Sequence, residues 1–172
     1  ESDLPYMILG NGTNVLVRDW GYDGAILHIG TAFSHIGKEE GWRLRVGAGA
    51  LLNAVSARAS AEGFSGFEFA AGIPGSIGGA VFMHAGAYGG EMKQVVAEAT
   101  ILSRDGKREY TLTGEEMCFG YRKSILEERK DVVVSVLLQL TSGDRKAIEG
   151  RVRENTQSRT SKQPLKYPSA GS

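Results

Sequence analysis

The strongest constraint on this chain is where its glycines fall. Seven of its 24 glycines lie between Gly72 and Gly90, and Gly10 and Gly12 flank Asn11 near the start. At 24 of 172 residues their share is about twice the usual ~7%. There is no Gly-X-Y period and there are only four prolines, so collagen and linker readings fail. Local glycine clusters in a chain of ordinary globular composition mean backbone that turns sharply or lies close against a ligand.

Charge narrows the ligand. The chain balances 20 basic against 20 acidic residues and so has no net field to draw in nucleic acid or an anionic membrane. No nucleic-acid partner is expected. No stretch approaches the roughly 18 uninterrupted apolar residues of a membrane span, and no signal peptide is read at the start, so no membrane partner is expected. A single cysteine, Cys118, can form neither an internal disulfide nor a thiolate cage, and it is read as core packing beside Met117 and Phe119. His28 and His35 have no paired ligands at metal spacing, so no metal site is expected. The oligomeric state is left open.

Periodicity places the clusters on elements. Leu4–Leu9 reads as a buried strand that runs into Gly10-Asn11-Gly12-Thr13-Asn14, and Val15-Leu16-Val17 reads as a resumed strand. Further strands are read at Ala25–Ile29, Trp42–Val46, Val95–Leu102, Arg108–Leu112 and Val132–Leu140, with an Asp105-Gly106 hairpin turn. Leu51, Leu52, Val55 and Ala59 keep helical spacing up to Gly63, and a second helix is read from Asp144 to about Arg159. Several strands, a helix, more strands and a helix make the class α+β.

Neither glycine segment fits a familiar phosphate motif. Val15 stands where a Rossmann loop needs its third glycine, and the Gly-Lys-Ser/Thr of a P-loop is missing. A glycine loop between strands still gathers several N–H groups in one concavity, the arrangement that favours phosphate oxygens, though an ordinary tight turn fits the first segment equally well. In Gly72-Ile73-Pro74-Gly75-Ser76-Ile77-Gly78-Gly79, a helix starting at Ser76 would offer its N-terminal N–H groups to an anion, and close helix packing is the competing explanation for its small residues. Two such loops with little basic charge point to a diphosphate held by backbone amides, as in a nucleotide cofactor.

Five segments occur in one order: Leu9–Val17, Gly72–Ala80, Ala85-Gly86-Ala87-Tyr88-Gly89, Tyr121-Arg122-Lys123-Ser124 and Pro168-Ser169-Ala170-Gly171-Ser172. In these the chain resembles the UDP-N-acetylenolpyruvoylglucosamine reductase family, flavoenzymes of bacterial peptidoglycan synthesis, nearly end to end. The resemblance implies the FAD-binding fold of the vanillyl-alcohol oxidase / p-cresol methylhydroxylase type, with two subdomains around FAD. It divides the chain into residues 1–20 (first subdomain), 21–163 (second subdomain) and 164–172 (start of a substrate-binding domain).

It also implies site roles. Gly10, Asn11, Gly12, Thr13 and Asn14, with Gly72, Ile73, Pro74, Gly75, Ser76, Gly78 and Gly79, would wrap the FAD pyrophosphate. NADPH would reduce the flavin, and hydride would pass to the β-carbon of the enolpyruvyl group of a UDP-sugar in the bacterial cytoplasm. Arg122 would polarise the substrate carboxylate, Ser172 would protonate the α-carbon, and Tyr121 and Lys162 would meet the substrate. A guanidinium suits a planar carboxylate and stays charged at any working pH.

The sequence departs from the family pattern at several points. His84 stands where the family commonly has Asn. The family's second charged group, a glutamate, and an upstream Arg-x-Gly-Gly-type segment are both missing, so a piece truncated at both ends is expected. No inserted lid loop separates Gly120 from Ser172, which resembles the loop-lacking subclass. Another flavoprotein of the same fold and a non-catalytic nucleotide-binding module are the alternatives.

Overall fold

The computed structural model describes residues 4–163. In chain order these form β1 (Tyr6–Leu9), β2 (Ala25–His28), β3 (Ile36–Glu39), β4 (Arg43–Gly47), helix α1 (Leu52–Ala61), β5 (Phe64–Ser65) and helix α2 (Ile77–Phe82). The short pair β6 (Gly86–Ala87) and β7 (Gly90–Glu91) follows, then β8 (Val96–Leu102), β9 (Glu109–Thr113) and helix α3 (Ile125–Arg129). The chain continues through β10 (Val132–Gln139), β11 (Thr141–Ser142) and helix α4 (Arg145–Lys162). The class is α+β, as the element order implied.

The framework is a five-stranded antiparallel sheet in the order β3-β4-β10-β8-β9. Alternation decides its faces: Leu44 and Val46 of β4 are fully buried while Arg43 and Arg45 between them point outward. In β10, Val136, Leu137 and Leu138 are all buried, and Val136 and Leu138 share one core with Ile77, Ala80 and Val81 of α2. Helix α1 buries Leu52, Val55, Ser56, Ala59 and Ser60, a stripe at helical spacing, and stops before Gly63, whose φ of +70° suits glycine. Strands β1 and β2 form a separate parallel pair, Tyr6 opposite Ala25. No described helix is long and apolar enough to cross a membrane.

Two readings need correction. Val15–Val17 is not a strand: it is irregular, and Leu16 is 88% exposed. Apolar β-branched residues make a strand only where a neighbouring edge can pair with them, and none of the described strands borders this run. Cys118 is not in the core: it is exposed, at φ +47°, in the bend after β9, while its neighbour Met117 is fully buried.

The C-terminal helix is fastened by charge. Asp144 caps α4 by accepting from the Ala147 N–H at 2.8 Å. Arg151 of α4 pairs with Glu68, which is 8% exposed and also accepts from the Ser65 hydroxyl at 2.9 Å and the Gly66 N–H at 2.7 Å. Burial pushes the Glu68 carboxyl up, but the Arg151 guanidinium, the backbone N–H groups and the Ser65 hydroxyl outweigh it and hold it below its ordinary value. The unfolded chain therefore binds this proton at higher pH than the folded one. The stabilisation is fully present above the ordinary glutamate value of about 4.3 and is lost as pH falls through the lowered folded value. Denaturation of Glu68→Gln should show a loss of about 1–3 kcal/mol at neutral pH. That loss should shrink towards zero in acid, and one that stayed constant with pH would contradict this assignment.

Candidate functional site

The two glycine segments close on one another through residues 61 positions apart in sequence. Thr13 Oγ1 donates to the Pro74 carbonyl at 3.0 Å. A Cβ on Gly10 would lie 2.5 Å from Ser76 Oγ, so this approach needs glycine there. Gly75 sits at φ +140°, a conformation closed to side chains, and a Cβ on it would lie 3.2 Å from Thr13 Oγ1. Gly12 differs: at φ +69°, a Cβ on it would meet nothing within 4 Å, so its outer side faces open space.

The donors are the loops' own amides. Among the described residues, the N–H groups of Asn11, Gly12, Thr13, Asn14, Gly75 and Ser76 have no hydrogen-bond partner. Unpaired amides on two loops held together by Thr13 and Pro74 are the donor type that fits the oxygens of a diphosphate, so the loops suit the pyrophosphate of a dinucleotide. The start of α2 does not contribute as its sequence implied. The Ile77 and Gly78 N–H groups already donate to Ala50 O at 2.8 Å and Ala48 O at 2.9 Å. Gly78 is a packing glycine, since its Cβ would lie 2.9 Å from that of Ala48. Ile73 packs against the core, and Gly79 is exposed. Gly72 lies under α4, where its Cβ would meet Arg159 Cδ at 3.2 Å, a basic neighbour that sequence reasoning did not single out.

Beyond the far end of α2 stands a second structure. Gly120 and Lys123 exchange backbone hydrogen bonds of 3.0 and 3.1 Å, which leaves Tyr121 and Arg122 alone at the tip of a tight turn. Tyr121 is 93% exposed and Arg122 is exposed at φ +56°, so both side chains are presented outward. Both sides of the turn are tied to the residues that end α2. The Ser124 hydroxyl donates to Phe82 O at 2.8 Å, and His84 Nδ1 donates to Gly120 O at 2.7 Å. Sequence reasoning placed Ser124 in the Tyr121–Ser124 segment without a role of its own, and its contact 42 positions away leaves no local signal.

Lys162 is the last residue of α4 and exposed. Among the described residues, no hydrogen bond or ion pair joins it to the glycine loops or the Tyr121 turn. Ser172, with the rest of 164–172, lies outside the described residues.

The sequence pattern of the family described as "FAD binding domain" matches residues 1–111. The UDP-N-acetylenolpyruvoylglucosamine reductase of Clostridium botulinum is 46% identical over 172 residues, all of this chain and 56% of that protein. The crystal structure of the UDP-N-acetylenolpyruvylglucosamine reductase of Thermus caldophilus superposes with a TM-score of 0.85 at 34% identity, covering 99% of this chain and 60% of that one. The 6-hydroxy-D-nicotine oxidase of Arthrobacter nicotinovorans shares the fold, with a TM-score of 0.62 at 20% identity over 81% of this chain and 31% of that one. The chain thus spans little more than half the length of the curated relatives it matches.

Proposed function

We propose, for a chain that belongs to the FAD binding domain family, that it is the cofactor-holding part of a reductase acting on UDP-N-acetylglucosamine enolpyruvate in peptidoglycan synthesis. Its fold is the vanillyl-alcohol oxidase / p-cresol methylhydroxylase type. The observation that carries the reading is the closure of the two glycine loops, Thr13 on Pro74, around an array of unpaired amides. The division into subdomains at residues 1–20, 21–163 and 164–172 belongs to the same proposal, as does a cytoplasmic setting, where a UDP-sugar and NADPH meet.

Bound here, FAD would supply the hydride chemistry that links NADPH to the β-carbon of the enolpyruvyl group. The N–H groups of Asn11–Asn14, Gly75 and Ser76 would hold its pyrophosphate. Hydride arrival at the β-carbon pushes negative charge onto the substrate carboxylate, so a fixed cation there lowers the barrier. Arg122, held outward on its turn, takes that role by a bidentate contact. Ser172 delivers the proton to the α-carbon, and Tyr121 and Lys162 meet the substrate around it.

A substitution separates cradle from fold. Gly12→Val adds a Cβ that meets no protein atom within 4 Å, at a backbone strain of roughly 1–2 kcal/mol, on the loop that carries the unpaired amides. The purified full-length variant should fold and yet lose most of its flavin absorbance. A folded variant that kept full flavin content would place the pyrophosphate elsewhere.

A further inference from the structure

His84 carries more than the packing of its ring. It ends α2 at φ +46°, is 8% exposed, and stacks on Phe119 at 4.8 Å between ring centres. A carbonyl can only accept, so the 2.7 Å contact with Gly120 O puts the proton on Nδ1. Nε2 is the other ring nitrogen. It is buried without a hydrogen-bond partner among the described residues, and Glu91 Oε2 lies 3.7 Å away. The fold thus leaves one ring nitrogen unsatisfied while keeping the other on the base of the Arg122 turn.

Backbone strain gathers at the same place. Of six non-glycine residues with positive φ among the described residues, four lie on the segments that meet here: His84, Tyr88, Cys118 and Arg122. Such residues persist only where their surroundings hold them, and they mark sites whose geometry matters. The tip of the turn is exposed, so its aim is set from its base, through Gly120 to His84 and Ser124 to Phe82. Helix α2, six residues or about 9 Å long, begins next to Ser76 in the cradle and ends at these contacts.

We infer that α2 is a strut between the cofactor cradle and Arg122, and that His84 is its positioning residue, acting through Nδ1–H on Gly120. The inference rests on the reading of Arg122 as the carboxylate clamp. Only the nitrogen bonded to Cγ does this work. An asparagine amide nitrogen, also bonded to Cγ, can replace it, whereas the glutamine amide lies one carbon farther out and cannot.

The test uses the FAD-loaded full-length protein and the variants His84→Ala, His84→Asn and His84→Gln, with two readouts. One is kcat/KM for the enolpyruvyl substrate beside the rate of flavin reduction by NADPH. The other is hydrogen exchange of the Gly120 and Lys123 amides without substrate. His84→Ala should speed exchange at both amides and cut kcat/KM by about 10- to 100-fold, the cost of a small misplacement of a charged group, with flavin reduction unchanged. His84→Asn should restore both readouts and His84→Gln neither. If His84→Ala fails to fold, the Asn–Gln difference decides. Unchanged exchange in His84→Ala, or glutamine rescuing as well as asparagine, overturns the inference. If His84→Ala speeds exchange but Arg122→Ala reduces the substrate normally, the strut stands and the clamp reading falls.

Discussion

Replacing Arg122 by alanine in the full-length protein should slow reduction of the enolpyruvyl substrate by about 10²–10³-fold, the usual cost of removing one preorganised charge-stabilising group. Flavin reduction by NADPH should be unaffected, because that step develops no charge on the substrate carboxylate. The size of the effect follows from the construction of the turn. The backbone of Arg122 is held at φ +56° between the paired residues Gly120 and Lys123, which fixes where its side chain starts. Arg122→Lys should recover only part of the rate, since a point charge cannot make the two parallel hydrogen bonds of a guanidinium. Stopped-flow measurement of the two half-reactions checks this. A slowing shared equally by both would mean that the substitution disturbs the cofactor rather than the substrate.

The second large effect is expected at Ser172. Ser172→Ala should slow substrate reduction by about 10²–10⁴-fold, the range for loss of a positioned proton donor, with flavin reduction by NADPH again intact. A serine hydroxyl is a weak acid, so it delivers a proton usefully only where neighbouring positive charge stabilises its alkoxide. Lys162, ten positions earlier in the chain, is one of the described residues proposed to lie near the substrate, and its exposed ammonium at the end of α4 is free of ion pairs among the described residues. Lys162→Met should therefore slow substrate reduction in the same half-reaction as Ser172→Ala. If Ser172→Ala instead slowed both half-reactions alike, the serine would not be the donor.

What could be read without coordinates was what local chemistry decides. The alternation of Leu44 and Val46 with arginines, the helical spacing of Leu52, Val55 and Ala59 and the stop at Gly63 each follow from a period or a backbone preference a few residues long, while Leu51, read on the same face, precedes the helix and is exposed. So do the two glycine segments, whose composition announced close approach before any partner was known. Long-range contacts were not legible. That Thr13 reaches Pro74, that Ala48 and Ala50 consume the first amides of α2, and that His84 holds Gly120 are consequences of packing between segments 27 to 61 positions apart. Val15–Val17 failed as a strand for the same reason: propensity supplies a strand but cannot supply its neighbour. Gly78 looked like part of a phosphate loop and serves packing against Ala48, a distinction that glycine composition cannot make.

The central claim is that these residues form an FAD cradle joined to a carboxylate clamp in one reductase. Its most direct test is a single turnover of the full-length protein: purify it, reduce its bound flavin with NADPH in the absence of oxygen, remove excess NADPH, and mix it with UDP-N-acetylglucosamine enolpyruvate. The account expects a yellow protein that bleaches with NADPH and regains its colour within one turnover, with one saturated lactyl product formed per flavin. A properly folded protein that carries no flavin, or a reduced flavin that the enolpyruvyl substrate leaves bleached, would contradict it.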